Sequence, residues 1–186
     1  MQTMPAPGAN PAEQIYGGVA RTLHWLVFAL VAAQFGIGWT MPEIETDTPQ
    51  QGLVDWHLSV GSTILAVIIL RLIWRITHPT PLSTAMPGWE RKLSRATHHT
   101  LYLLLIAIPL LGWAAAGYFG YTVRLFGLVP LPTLAAKGTH WAEIAGDVHA
   151  VLTLVLLGVV GLHLAGALYH RFVLKDRVLQ RMLPGV

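Results

Sequence analysis

The 186 residues are 54% hydrophobic and only 11% charged, with a formal net charge of +3 and no cysteine. Soluble domains average roughly a quarter charged residues, so this composition points to a bilayer. The missing cysteine excludes disulfides, iron–sulfur clusters, thiolate zinc sites and c-type haem attachment.

The stretch up to Gly18 is polar and rich in Gly, Pro and Ala, and is expected to be a flexible cytoplasmic tail ahead of one domain over 19–186. Four charge-free gaps follow, between Arg21 and Glu43, Asp55 and Arg71, Arg95 and Arg124, and Asp147 and Arg171. A span needs about 20 apolar residues, which predicts transmembrane helices near 20–40, 56–76, 94–118 and 144–172. The second needs Arg71 and Arg75 to snorkel to the interface. The first has no small-x-small pattern after it, so a retained helix is expected, not a cleaved signal. The fold class is all-α, an antiparallel membrane-embedded four-helix bundle.

With both termini inside, ten basic residues fall on cytoplasmic segments, and only Arg124 and Lys137 lie outside. That bias sets the orientation in the membrane. Trp39, Trp56, Trp113 and Trp141 mark the outer interface, and Trp25, Trp74 and Trp89 the inner one. Loop 41–55 is acidic, and Gly and Pro interrupt the long connection 118–143. Pro109 is expected to bend the third helix and free the carbonyl of Leu105.

Nine histidines are the anomaly in so apolar a chain. On the fourth helix His149 and His163 stand 14 residues apart, which returns to nearly the same face after a climb of about 21 Å. Antiparallel threading puts His57 level with His149, and His24 nearer the depth of His163. Two pairs at two depths suit two haems b, each closed on both axial sides by imidazole. No carboxylate lies deep in a span, which disfavours a non-haem metal site. Gly38 shares the face of His24, Gly61 sits one turn past His57, and Gly158 and Gly161 lie between His149 and His163; such small residues leave room for a macrocycle, or serve close helix packing.

Further pieces occur in order: Arg21-x-x-His24-Trp25-Leu26, His57 with Arg71-Leu72-x-x-Arg75, Pro79-Thr80-Pro81, and His98 before Tyr102-Leu103-Leu104 and Ile108-Pro109. His149, Gly161-Leu162-His163, His170, Lys175-Asp176 and Arg181-Met182-Leu183-Pro184 complete the series. With these the chain resembles the bacterial cytochrome b-five-six-one proteins, four-helix dihaem cytochromes of the inner membrane. The resemblance implies His57 with His149 as ligands of the outer haem, and His24 with His163 as ligands of the inner one. One such relative is a superoxide oxidase that reduces ubiquinone, and others are electron carriers. The resemblance thus implies superoxide as the outer one-electron donor and ubiquinone as the acceptor. The alternative is a haem-bearing anchor passing electrons to a respiratory partner subunit. A proton-relay transporter fits poorly, lacking an inverted repeat and a buried acid. Partners are expected to be membrane lipid, quinone and the small donor, with no nucleic acid.

His170 lies seven residues beyond His163 and about 10 Å further inward, and His98 opens the third helix at a similar depth. Both are candidate quinone contacts or proton donors, or else plain interfacial histidines. Arg71 shares the face of His57 and is a candidate contact for a propionate of the inner haem, or an ordinary snorkelling arginine. Arg124 and Lys137 are candidates for a positive funnel toward an anionic donor, against the acidic loop.

Overall fold

The computed structural model describes residues 16–45, 48–79 and 87–183. Asp47, the Thr80-Pro81 pair, Pro184 and most of the expected N-terminal tail lie outside the described residues.

Four long helices carry the fold: α1 (Gly18–Thr40), α2 (Leu53–Thr77), α3 (Gly88–Phe119) and α4 (His140–Tyr169). Each is long and apolar enough to cross a membrane. The all-α four-helix membrane bundle read from the sequence is borne out. The helix bounds differ most at the start of α3 and α4. Charge gaps mark where a helix enters the apolar layer, whereas these two helices run on into the interface. Glu90, Arg91, Lys92 and Arg95 form the first turns of α3 after Pro87. His140 and Glu143 pair at 3.2 Å in the first turn of α4. At its other end α4 passes into a short π-helical turn, His170–Leu174, closed by Lys175 at φ +54°.

The principal packing runs from α1 to α2, α2 to α3 and α3 to α4. The middle of the bundle is an apolar cluster of Val27, Ile64, Val67, Ile68, Leu104, Leu105, Ile108 and Leu156. Within α1 and α4 almost nothing is buried, Val27 being the one buried residue of α1. Leu154, Leu157, Leu162 and Leu164 of α4 stand exposed, as lipid-facing or cofactor-facing side chains do.

The connection after α3 is ordered by a short hairpin, β1 (Arg124–Leu125) with β2 (Val129–Pro130). Its turn places Phe126 at φ +54° and Gly127 at φ +72°, the positive pair that a tight hairpin turn requires. Helix α2 anchors it: Ser62 Oγ donates to the carbonyl of Arg124 at 2.9 Å. Gln50 donates to the carbonyl of Thr122 and accepts from its amide, and Tyr121 donates its hydroxyl to the carbonyl of Thr48 at 2.6 Å. Gly117 admits the returning strand, since a Cβ there would sit 2.5 Å from the carbonyl oxygen of Ala135. Gly117→Ala is therefore expected to cost about 1–3 kcal/mol by overpacking backbone against backbone. A thermal melt in detergent checks it, with the parent protein alongside.

At the opposite end of the bundle the first and last described residues meet. Tyr16 N–H donates to the carbonyl of Arg181, Arg21 to that of Leu183 at 2.9 Å, and Trp25 Nε1 to that of Met182 at 2.8 Å. The segment after α4 thus closes back over the first turns of α1.

Candidate functional site

The structure gathers the four predicted histidines into two pairs. His57 of α2 and His149 of α4, the pair expected at the outer level, have ring centroids 6.1 Å apart, with planes at 73°. His24 of α1 and His163 of α4, the pair expected at the inner level, have centroids 6.3 Å apart, with planes at 71°. An imidazole nitrogen sits about 2 Å from a metal it binds and its ring centre about 1 Å further, so two rings on opposite sides of one iron stand about 6 Å apart. Both pairs meet that spacing.

Between the outer halves of the helices lies a cavity of about 640 Å³ lined by His57, His149, Gly38, Phe35, Gln34 and Gly112 among others. That is the size of a site for a large flat cofactor. Each side chain there is held from a different element. His149 Nδ1 bonds the carbonyl of Ile108 on α3 at 2.9 Å. The carbonyl can only accept, so Nδ1 carries the proton and Nε2 keeps its lone pair for a metal. The carbonyl that meets His149 is that of Ile108, the residue before Pro109, and not the carbonyl of Leu105 that the sequence reading expected Pro109 to free. Gly112 makes the approach feasible, since a Cβ on it would lie 2.9 Å from Cε1 and Nδ1 of His149.

His57 Nδ1 is buried without a hydrogen-bond partner and lies toward Gly38, whose Cβ would meet it at 3.8 Å. Leaving such a nitrogen unpaired costs about 1–3 kcal/mol. Gln34 also faces this region. Its Nε2 donates to the carbonyl of His57 at 3.0 Å, while its Oε1 is buried and unpartnered. Gly61 accommodates that amide, since a Cβ there would lie 3.3 Å from Gln34 Nε2. Sequence reasoning passed over Gln34 and Gly112. The signal for Gln34 was present, as it is the one polar side chain between His24 and Thr40.

Gly158 and Gly161 have nothing within 4 Å of where a Cβ would stand. At 100° per residue both point away from the face that carries His149 and His163, and neither lines the cavity, so they neither pack on another helix nor make room beside the histidines.

At the inner level His98 joins the pair. Its ring lies 5.2 Å from that of His163, and its Nδ1 bonds the carbonyl of Ser94 at 2.6 Å. A separation of 5.2 Å is too short for two ligands of one iron, so spacing favours His24 as the partner of His163. Helix α3 begins at Gly88, so His98 sits well inside it and does not open it as expected. His170 is placed elsewhere, with Nδ1 2.6 Å from Asp176 Oδ2.

Arg71 Nη2 reaches His24 Nδ1 at 3.1 Å, and Arg71 and Arg75 each stand 5.4 Å over the buried ring of Tyr102. The sequence placed Arg71 on the right face but not against His24. Arg124 and Lys137 do not line the outer cavity; its charged lining among the described residues is Glu143 and Asp147, both acidic. The expected positive funnel is therefore not part of the cavity wall.

The sequence profile of the prokaryotic cytochrome b561 family matches residues 15–185. Cytochrome b561 homolog 2 of Escherichia coli (strain K12) is 30% identical over 172 residues, covering 90% of this chain and 90% of that protein. The probable superoxide oxidase CybB of Yersinia pestis is 32% identical, covering 87% of this chain and 92% of that protein. Cytochrome b562 of Cereibacter sphaeroides is 30% identical, covering 92% of this chain and 96% of that protein. With its four spanning helices and its histidines at two levels, the chain belongs to the prokaryotic cytochrome b561 family, as a bacterial membrane haem b protein of electron transfer.

Proposed function

We propose that this chain is a dihaem superoxide:ubiquinone oxidoreductase of the inner membrane. The observation that carries it is the pair of histidine couples, 6.1 Å and 6.3 Å between rings, set on two levels by His149 and His163 of one helix. His57 with His149 would hold the outer haem b, and His24 with His163 the inner one. Bound there, haem b would supply one-electron redox chemistry, with His57, His149, His24 and His163 as the residues that would hold it. Superoxide as donor is supported by the likeness to the probable superoxide oxidase CybB. The basic residues at the inner ends of the helices support cytoplasmic termini, which makes the outer level periplasmic.

The residues of the chain have distinct parts. Arg71, with five N–H donors, is able to hold a propionate of the inner haem. His98 and His170 serve the quinone end. His170 hydrogen-bonded to Asp176 is a histidine–carboxylate pair suited to handing a proton to a reduced quinone. Two superoxide ions each give one electron and leave as dioxygen, and ubiquinone takes both electrons with two protons to become ubiquinol.

The acidic lining by Glu143 and Asp147 favours a second reading, an electron carrier that takes electrons from a neutral or cationic partner protein. Stopped-flow mixing of the oxidised protein with superoxide, with and without ubiquinone, separates the two. Rapid haem reduction followed by quinol formation is expected. Haems that stay oxidised under a superoxide flux would leave only the carrier reading.

A further inference from the structure

Two buried polar atoms at the outer cavity have no partner, and they belong to residues that already touch. Gln34 Nε2 donates to the backbone carbonyl of His57 at 3.0 Å, yet Gln34 Oε1 and His57 Nδ1 are both buried and unpaired. That carbonyl can only accept, so it fixes the amide with its nitrogen toward His57 and its oxygen free. Gln34 and Gly38 stand one turn apart on α1, the first meeting the backbone of His57 and the second its ring. A Cβ on Gly38 would lie 3.8 Å from Nδ1, so the unpaired edge of the ring faces the helix that carries Gln34. Gly61, one turn beyond His57 on α2, leaves the amide its space.

The needs of the two atoms are complementary. Across the cavity His149 keeps its proton on Nδ1, held by the carbonyl of Ile108, which leaves Nε2 its lone pair. His57 faces it with ring centroids 6.1 Å apart, and offers Nε2 in the same way only with its own proton on Nδ1. Such an N–H requires an acceptor, and an amide oxygen does nothing but accept. The two atoms make no direct hydrogen bond. A single water spans a buried polar gap of this kind, accepting from the one atom and donating to the other.

We infer that Gln34 is the positioning residue of His57. Through one buried water its Oε1 holds the ring proton on Nδ1, which turns Nε2 to the cavity, while its Nε2 ties α1 to the backbone of α2. Gln34 does for His57 what the Ile108 carbonyl does for His149, with a side chain in place of backbone. The inference rests on the assignment of His57 to the outer haem proposed above, and on no identity of electron donor or acceptor.

A structure of the purified holoprotein at a resolution that shows ordered water tests it directly. Density within hydrogen-bond distance of both Gln34 Oε1 and His57 Nδ1 is the expected result. Nδ1 bonded to any other group, or to none, overturns the inference. Potentiometric titration in the haem absorption bands gives a second readout. Gln34→Met, similar in length, removes the acceptor, and an imidazole whose N–H loses its acceptor is a poorer donor to its metal. One midpoint is therefore expected to move upward, the one that is missing from His57→Ala, while the other stays in place. Gln34→Glu keeps an acceptor oxygen and must not show the rise. A Gln34→Met protein with two haems and unmoved midpoints overturns the inference. An equal rise in both variants does so too, since it traces the effect to the lost bond to the His57 carbonyl. Should Gln34→Met lose the outer haem, the bridging density in the parent decides. A His57→Ala protein that retains both haems removes the ligand assignment itself. Loss of one haem from His57→Ala, with no bridging density in the parent, defeats the inference alone.

Discussion

Replacing His149 by alanine is expected to leave a protein that holds one haem, against the two expected of the parent. The remaining haem should be the inner one. His149 is positioned by α4 for depth, by Ile108 for ring orientation and by Gly112 for clearance, so no neighbouring side chain can take its place. His57→Ala should give the same spectrum from the opposite side of the cavity, and His24→Ala or His163→Ala should remove mainly the inner haem. His98→Ala is the discriminating control. His98 lies nearer to His163 than His24 does, 5.2 Å against 6.3 Å, yet at a separation that does not fit two ligands of one iron. It should therefore keep both haems. A pyridine haemochrome ratio on each purified variant decides the matter. Loss of a haem from His98→Ala with retention in His24→Ala would reassign the inner ligand.

Gly112→Ala is expected to be nearly as damaging as loss of the ligand, although it adds a single methyl group. That methyl would stand 2.9 Å from two ring atoms of His149, inside the closest approach side chains tolerate. The ring has little room to retreat, because its Nδ1 is tied to Ile108 on the same helix as Gly112. Overpacking of this kind costs about 1–3 kcal/mol, and here it falls on the ring orientation that leaves Nε2 free. The expected result is a fall in outer-haem occupancy and a lower melting temperature. Gly38→Ala is the matched comparison on the other side of the cavity. Its methyl would meet His57 at 3.6 Å, an ordinary contact, so occupancy should stay near two haems. Equal behaviour of the two variants would mean that clearance at His149 does not limit the site.

Much of this architecture is legible in the chain itself because it depends on local properties. Hydrophobic length and charge-free gaps depend only on neighbouring residues, so the four spans follow from composition along the sequence. The 14-residue interval between His149 and His163 is a property of one helix, and it sets two levels without knowledge of any other helix. Antiparallel threading then brings His57 to the outer level and His24 to the inner.

The tertiary structure decided what depends on residues far apart in the chain. Whether His24 or His98 pairs with His163 turns on helix placement, because both lie at the inner level. Arg71 meets His24 across 47 positions, and its helical face alone gave no hint of which imidazole it would touch. Gly112 reads as one more small residue in an apolar run until His149 arrives from α4. The hairpin over α2 and the closure of the C-terminal segment onto Arg21 and Trp25 carry no periodicity, since hydrogen bonds to distant backbone carbonyls hold them. Helix periodicity records depth and face, which are properties of one strand of chain. Clearance and second-nitrogen partners belong to pairs of helices, and only their packing sets them.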